Sequence, residues 1–327
     1  MLGTEASLKP AQQGFPVLFP WECRACRFVA DYLVLLGPTA SGKTAISIDL
    51  AKELSKRGYK PEIVNADSMQ LYSELDIATA KLPIEQRQQF PHHMFDVAPP
   101  DQEVTVVQYQ KLAREVISAI IDRGSLPILV GGSMLYLQSV VYEMEFAPTD
   151  QQVRAELEKE LEQNGAESML ERLKQLDPES AERIELGDSR RIIRALELYR
   201  LRGRGLDEFR KDPGFWRDCH MFGVDVDREI LRERIHLRVE QMWEAGLVEE
   251  AKRVRGRLST TASAAIGYKQ IEKFIDGEIS RQEAIEQIQL LSTRYAKRQR
   301  TWFGRDENIE WLSPETAVEQ IISKARL

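Results

Sequence analysis

Leu33-Val-Leu-Leu-Gly-Pro-Thr-Ala-Ser-Gly-Lys-Thr44 joins an apolar run to the pattern G-x-x-x-x-G-K-[ST]. The run has the character of a buried strand and the residues after it that of a helix, so the glycine-rich turn sits where a strand hands over to a helix N-terminus. There the loop formed by Gly37, Pro38, Thr39, Ala40, Ser41, Gly42, Lys43 and Thr44 can curl backbone N–H groups around phosphate oxygens, aided by the positive end of the helix dipole. Lys43 would reach a terminal phosphate as a point charge, and the Thr44 hydroxyl is the candidate ligand for Mg²⁺. The ligand predicted is a phosphate or diphosphate, of the kind found in ATP and other nucleotides.

Working outward, Ile46, Leu50 and Leu54 recur at helical spacing until Gly58 ends the helix. Ile63-Val64 form the core of a second short strand that ends at Asp67. A helix is expected from about Val107 to Asp122, then a strand over Leu126-Pro-Ile-Leu-Val130 and the turn Gly131-Gly132. Strands alternating with helices specify an α/β fold, a P-loop NTPase-like parallel sheet flanked by helices. Such sheets bind ligands beyond the carboxyl ends of their strands, where the phosphate loop, Asp67 and Ser133 all fall.

Between Phe146 and Lys211 the composition shifts to charged helices. This reads as an inserted helical domain, residues 146–213, between two parts of the core, 31–145 and 214–327. Asp188-Ser189 can cap a helix running to Gly203, which puts Arg190 and Arg194 one turn apart on one face. Met221 to Val226 reads as a return strand. The next helix carries Leu231, Ile235, Val239 and Met242 on one side and stops at Gly246. A long helix over Arg281–Phe303, a strand at Glu310-Trp-Leu312 and a helix after Pro314 complete the chain.

With 327 residues, 43% of them hydrophobic, the chain can bury a substantial core. No apolar stretch approaches the roughly 20 residues of a transmembrane helix, so no membrane is expected. The net charge of −7 argues against bulk coating of nucleic acid, though not against a local basic groove. Cys23, Cys26 and Cys219 are too few for a disulfide framework, and the odd count fits the cytoplasm. Cys23-Arg-Ala-Cys26 has redox or zinc spacing but no second Cys/His pair nearby, and free thiols are expected. Residues 1–30 hold Pro10, Pro16 and Pro20 with little periodicity; they read as a loose extension, and initiation near Val29 is an alternative start.

The strand Ile128-Leu-Val130 ends in Gly131-Gly132, where many nucleoside triphosphatases carry a metal-organising Asp, so simple ATP hydrolysis loses weight. Asp67 is the carboxylate best placed to act, with a helix cap or the orienting of a metal ligand as its alternatives. Ser68 and Gln70 beside it can read a base edge or merely solvate a turn. His92, His93, His220 and His236 lack metal-ligand spacing. From Leu290 to Arg305 there are five basic residues and no acid, which reads as a solvated helix face or, with Trp302 and Phe303, as a surface for splayed bases.

The segments GPTASGKT at Gly37, NADSMQLY at Asn65, DIATAK at Asp76, PHHMFD at Pro91, LPILVGGSMLYL at Leu126 and DSRRIIRALE at Asp188 resemble, in order, the tRNA dimethylallyltransferase (tRNA isopentenyltransferase) family. AIGYKQ at Ala265, DGEIS at Asp276 and AKRQRTWF at Ala296 extend the resemblance from Leu33 to Leu312. It implies that the loop holds the diphosphate of dimethylallyl diphosphate rather than ATP, with Mg²⁺ on Thr44. Asp67 would be the general base for the exocyclic amine of the adenosine next to the anticodon, with Lys43, Ser133 and Arg154 near the reacting groups. Ser133 stands where the family usually has Thr. Ala78 and Leu82 depart from the family's GTAKP pattern, while Thr79 and Lys81 keep it.

Contacts with the tRNA anticodon loop would come from Asp67, Ser68, Met69, Gln70, Ser133 and Arg154, from Arg190, Arg191, Ile192, Ile193 and Arg194, and from Lys297, Arg298 and Arg300. The target adenosine would have to leave its stack to meet Asp67. A monomer is expected. The competing readings are a small-molecule or nucleotide kinase, in which Asp67 holds an acceptor hydroxyl, and a transferase prenylating free AMP, ADP or ATP; a nucleic-acid-binding switch protein ranks last.

Overall fold

The computed structural model describes residues 30–203 and 213–327. Its centre is a six-stranded, all-parallel sheet in the order β3-β2-β4-β1-β5-β6. The strands are β1 (Tyr32–Leu36), β2 (Pro61–Ala66), β3 (His92–His93), β4 (Leu126–Gly131), β5 (Cys219–Val224) and β6 (Ile309–Leu312). Successive residues face opposite sides. Val34, Leu36, Val64 and Leu129 enter one core, with Tyr109 and Ile117 of helix α3 (Val106–Asp122). Leu33, Leu35, Ile63 and Ile128 enter another, with Leu50 and Leu54 of α1 (Lys43–Lys56) and Ile321 of α12 (Ala317–Lys324). Burial on both faces explains why these strands read as continuous apolar runs.

The sequence-based elements reappear with shifts of a residue or two, and the long helix α11 (Arg281–Phe303) is bounded as expected, starting in a Ser280/Glu283 capping box. The return strand begins earlier, at Cys219, and β3 was not foreseen, because two residues carry no periodicity. Also unforeseen are α2 (Ile84–Arg87), α9 (Leu247–Val254) and α10 (Tyr268–Ile275). Gly246 does end α8 (Arg228–Glu244), yet it also opens α9 as its left-handed N-cap. After β4 comes α4 (Met134–Val141).

The helical insertion holds α5 (Gln151–Leu176), which Gly165 interrupts with non-helical backbone, then α6 (Pro178–Glu182) and α7 (Ser189–Arg202). These helices close on a small core of their own that includes Leu157, Met169, Leu173, Ile192 and Leu196. Asp188 caps α7 and Gly203 ends it in a left-handed conformation. The chain leaves and returns side by side: Tyr142 and Phe215 form an antiparallel bridge and stack with ring centroids 5.1 Å apart. Cys23 and Cys26 lie outside the described residues. Cys219 is a free thiol whose burial pushes its pKa up to about 12. Among the described residues no helix is long and apolar enough to cross a membrane.

On β2 the largely buried Glu62 accepts from Arg123 and, at 2.7 Å, faces His93 Nε2. Burial pushes its carboxyl up, but hydrogen bonds from Arg123, His93 and Ser125 outweigh this and hold it at about 2, below its ordinary 4.5. A depressed carboxyl contributes stability above its unfolded value and loses it as pH falls towards the folded one. Between about pH 4.5 and 2 the wild type should therefore lose stability more steeply than Glu62→Gln, as urea titrations at several pH values would read; parallel curves would reject the assignment.

Candidate active site

Strand register builds the site. Gly131 of β4 lies beside Leu36 of β1 on one side and Ala66 of β2 on the other, so Gly37, Asp67 and Gly132 leave the sheet side by side. Over this edge lies a cavity of about 340 Å³ lined by Thr39, Lys43, Thr44, Gln70, Arg234 and Arg238 among others. A second, of about 290 Å³, is more apolar, with Met69, Ala78, Ile235, Val239, Met242 and Ile288 in its wall. Asp67, Thr39, Thr79, Arg238 and Tyr295 line both. Asp67 is the only carboxylate among the described residues lining either, and it stands where the two chambers meet.

Gly42 is the N-cap of α1 at φ 90°, ψ 8°, a left-handed conformation that suits glycine. That helix has no side-chain cap and no acidic residue in its first turn, which leaves its N–H groups for an anion. Lys43 Nζ donates to Pro38 O at 2.7 Å. Burial lowers the Lys43 ammonium to about 8, with Asp67 opposing the shift and Arg238 adding to it.

Asp67 is held from behind. Its N–H donates to Asn65 Oδ1 at 3.0 Å, and its Oδ1 accepts from the Met69 N–H at 2.9 Å. Asn65 is itself fixed by Tyr109, whose hydroxyl donates to Asn65 O at 2.8 Å, and by a bond from Asn65 Nδ2 to Met94 O at 2.9 Å. Ser133 Oγ accepts from the Ser68 N–H at 2.9 Å and lies 3.1 Å from Ser68 Oγ. Both serines are buried, so they brace the Asp67 loop. Gln70 Nε2 donates to Thr79 O at 3.0 Å. Tyr295 of α11 has its phenol raised to about 12 by burial, with the neighbouring Ser133 side chain opposing the shift.

Several residues escaped sequence reasoning. Arg234 and Arg238 lie four apart on α8, interleaved with the apolar stripe Leu231, Ile235, Val239, and that interleaving was their only signal. Burial lowers the Arg238 pKa, with Asp67 opposing. Lys81, 1% exposed at its side chain, donates to Tyr72 O, Asp76 Oδ1 and Asp96 Oδ1, each at 2.7 Å. Buried Glu250 accepts from the N–H groups of Asp76, Ile77 and Ala78 at 2.7–2.9 Å and from the Tyr268 hydroxyl at 2.9 Å.

The expected RNA contacts divide. Arg190 and Arg191 are exposed on α7, Arg191 paired with Asp188. Ile192 and Ile193 are corrected: at 0% and 4% exposure they belong to the core of the helical insertion and cannot touch RNA. Arg194 donates to the carbonyls of Ala147 and Pro148 and pairs with Glu197, which fixes the chain entering α5. Lys297 and Arg298 are exposed, with the Arg298 guanidinium 5.7 Å from the Tyr295 ring centroid. Arg300 is committed to Val226 O and Asp225. Phe303, 1% exposed, is core and no stacking platform, while Trp302 is half-buried and packs against that core. Helical periodicity alone cannot tell which side of a helix meets another element. Arg154 sits in the first turn of α5, paired with Glu158, and lines neither chamber.

Residues 70–306 match the IPP transferase family. The chain belongs to that family. Among relatives of this IPP transferase, a tRNA dimethylallyltransferase of Clavibacter sepedonicus is 44% identical over 84% of this chain and 90% of its own length. One from Anoxybacillus flavithermus is 42% identical over 89% and 94%. A solved tRNA isopentenylpyrophosphate transferase from Bacillus halodurans superposes with TM-score 0.65 at 36% identity, covering 90% of this chain and 96% of that one. A eukaryotic dimethylallyltransferase acting on tRNA superposes with TM-score 0.71 at 25% identity, over 90% and 76%.

Because Lys43 attracts a diphosphate only when charged, and its pKa is near 8 rather than 10.5, its contribution to affinity should be constant below pH 8 and fall above it by up to about tenfold per unit. Calorimetric titration with a saturated alkyl diphosphate across that range would check this. Lys43→Arg, which stays charged, should abolish the fall, and a persistent fall in that variant would assign it elsewhere.

Proposed function

We propose that this IPP transferase moves a dimethylallyl group from dimethylallyl diphosphate to the exocyclic amine of the adenosine 3′-adjacent to the anticodon in tRNA, releasing pyrophosphate. It acts as a monomer in the cytoplasm. The observation that carries the reading is the position of Asp67 between a polar chamber rich in cations and a more apolar one. A reaction that joins a prenyl chain to an amine while expelling pyrophosphate needs such a division.

The phosphate loop, residues Gly37 to Thr44, takes the diphosphate on its amides and on the first turn of α1, with Lys43 as the point charge. Adenine's amine is a weak nucleophile because its lone pair is delocalised, so removing its proton during attack matters. Asp67 accepts that proton as the amine nitrogen bonds the first prenyl carbon and the C–O bond to the diphosphate breaks. The electron pair of that bond leaves with pyrophosphate, whose growing charge Lys43 and Arg238 stabilise. Ser133 and Ser68 keep Asp67 in register.

The donor set for Mg²⁺ is one hydroxyl, Thr44, in the chamber wall, and the described residues contain no cluster of three His, Cys, Asp or Glu side chains that could hold a metal. That suits an ion carried mainly by phosphate oxygens and water. Bound there with the diphosphate, Mg²⁺ would neutralise charge on the leaving group. Arg190, Arg191, Lys297 and Arg298 are the exposed cations for the tRNA backbone, and Arg154 joins them from α5.

Asp67→Asn should bind tRNA normally but slow single-turnover transfer by roughly 10² to 10⁴, about 3 to 5 kcal/mol of barrier; a rate within about threefold of wild type would make Asp67 structural. Lys297→Ala with Arg298→Ala should weaken anticodon stem-loop binding and reduce its salt slope by up to about two phosphate contacts. Diphosphate affinity should not change. If AMP proves a better acceptor than the stem-loop, and the double variant keeps its salt slope, the acceptor is a free nucleotide.

A further inference from the structure

Gln299 is 1% exposed on α11, between the exposed Arg298 and the committed Arg300. Its carboxamide oxygen accepts from the Thr39 N–H of the phosphate loop at 2.8 Å, and its nitrogen donates to Gly132 O, beyond the end of β4, at 2.7 Å. A Cβ on Gly132 would lie 2.5 Å from that nitrogen and 2.8 Å from Gly37 O, so the site closes around the side chain. From Gly132 the linkage continues. Ser133 follows, its Oγ accepts from the Ser68 N–H, and Ser68 is next to Asp67. One turn before Gln299, Tyr295 neighbours the same Ser133.

We propose that Gln299 is a positioning residue that sets the spacing between the diphosphate cradle and Asp67. The inference rests on the transfer reaction proposed above. Both polar ends of the carboxamide are engaged by backbone, so the side chain acts through its partners. The reacting carbon is placed by the phosphate loop, and the amine by Asp67. The two halves come from strands β1 and β2, which are separated by β4. The Gln299 tie runs from the loop after β1 to the turn after β4, and the Ser133 tie from there to the loop after β2. A displacement of about 1 Å in such a pair can cost about 10²-fold in rate.

The test compares Gln299→Met and Gln299→Glu with wild type, using an anticodon stem-loop and dimethylallyl diphosphate. Met keeps the volume and loses both bonds. Glu keeps an acceptor for Thr39 but turns an oxygen on Gly132 O. Both variants should lose about 30- to 100-fold in single-turnover rate at saturating substrates, while Gln299→Met keeps pyrophosphate and stem-loop dissociation constants within about threefold; Gln299→Glu adds a carboxylate to the chamber wall and is read by its rate at saturation alone. Ser133→Ala should lose rate too, and combining it with Gln299→Met should cost less than the product of the single losses, as expected of groups in one linkage. Near-wild-type rates in either variant, strictly multiplicative losses, or losses confined to substrate affinity would overturn the proposal. If Gln299→Met does not fold, Gln299→Glu and its combination with Ser133→Ala decide by the same rate criteria. Absence of any transfer by the wild type would instead fell the reaction assignment.

Discussion

The chemistry of this chain depends on three adjacent strand ends being in register. Leu36, Gly131 and Ala66 lie side by side, so residues distant in sequence become neighbours one step further on: a phosphate loop, a glycine turn and a carboxylate. A one-residue slip in either ladder would turn every side chain of a strand to the opposite face and exchange its core partners. Both faces of the sheet are buried, so the register is strongly held, and the site inherits that rigidity.

The loop between β2 and α3 is held by buried charge. Lys81 gathers Tyr72 O, Asp76 and Asp96, while Glu250 gathers three successive N–H groups of the same loop. Lys81 and Glu250 are buried and depend on these partners, although Asp76 and Asp96, 59% and 36% exposed at their side chains, share their charge with solvent. These groups together fix the conformation of the loop. The DIATAK and PHHMFD segments, which carry part of the family resemblance, are to this extent scaffold: Lys81 of one binds Asp96 of the other. Substitutions at Ala78 and Leu82 leave this network untouched, because Ala78 is held through its backbone.

Net charge conceals the distribution that matters. The chain carries −7 overall, yet Lys43, Arg234 and Arg238 share a chamber with a single carboxylate. Taking these cations out of water is unfavourable, as the pKa values of Lys43 and Arg238, both lowered chiefly by burial, record. An anionic ligand in the chamber gives these desolvated cations the partner that water no longer supplies. Helix α11 divides its faces in the same way, with Lys297 exposed, Tyr295 and Gln299 turned to the site, and Arg298 exposed at the wall of the second chamber.

The sequence by itself determined the principal alternating strands and helices and the phosphate loop, and put Asp67 at a strand end, because apolar period, glycine spacing and capping residues are local and act within a few positions. It also bounded α7 and α11, whose caps, Asp188 and Ser280, are side-chain-to-backbone bonds over three residues. What only the tertiary structure decided was which side chains of those elements are free to act. Ile192 and Ile193 are core, Arg194 and Arg300 are spent on backbone and carboxylate partners, and Phe303 is sealed, although each stands in a motif. Arg238, Glu250 and Gln299 matter through partners at separations of 171, 172–174 and 260 residues, respectively Asp67, the 76–78 amides and Thr39. A lone Arg, Glu or Gln on a helix carries no trace of such a partner, because the energy that selects its role exists only once the sheet has brought the two together.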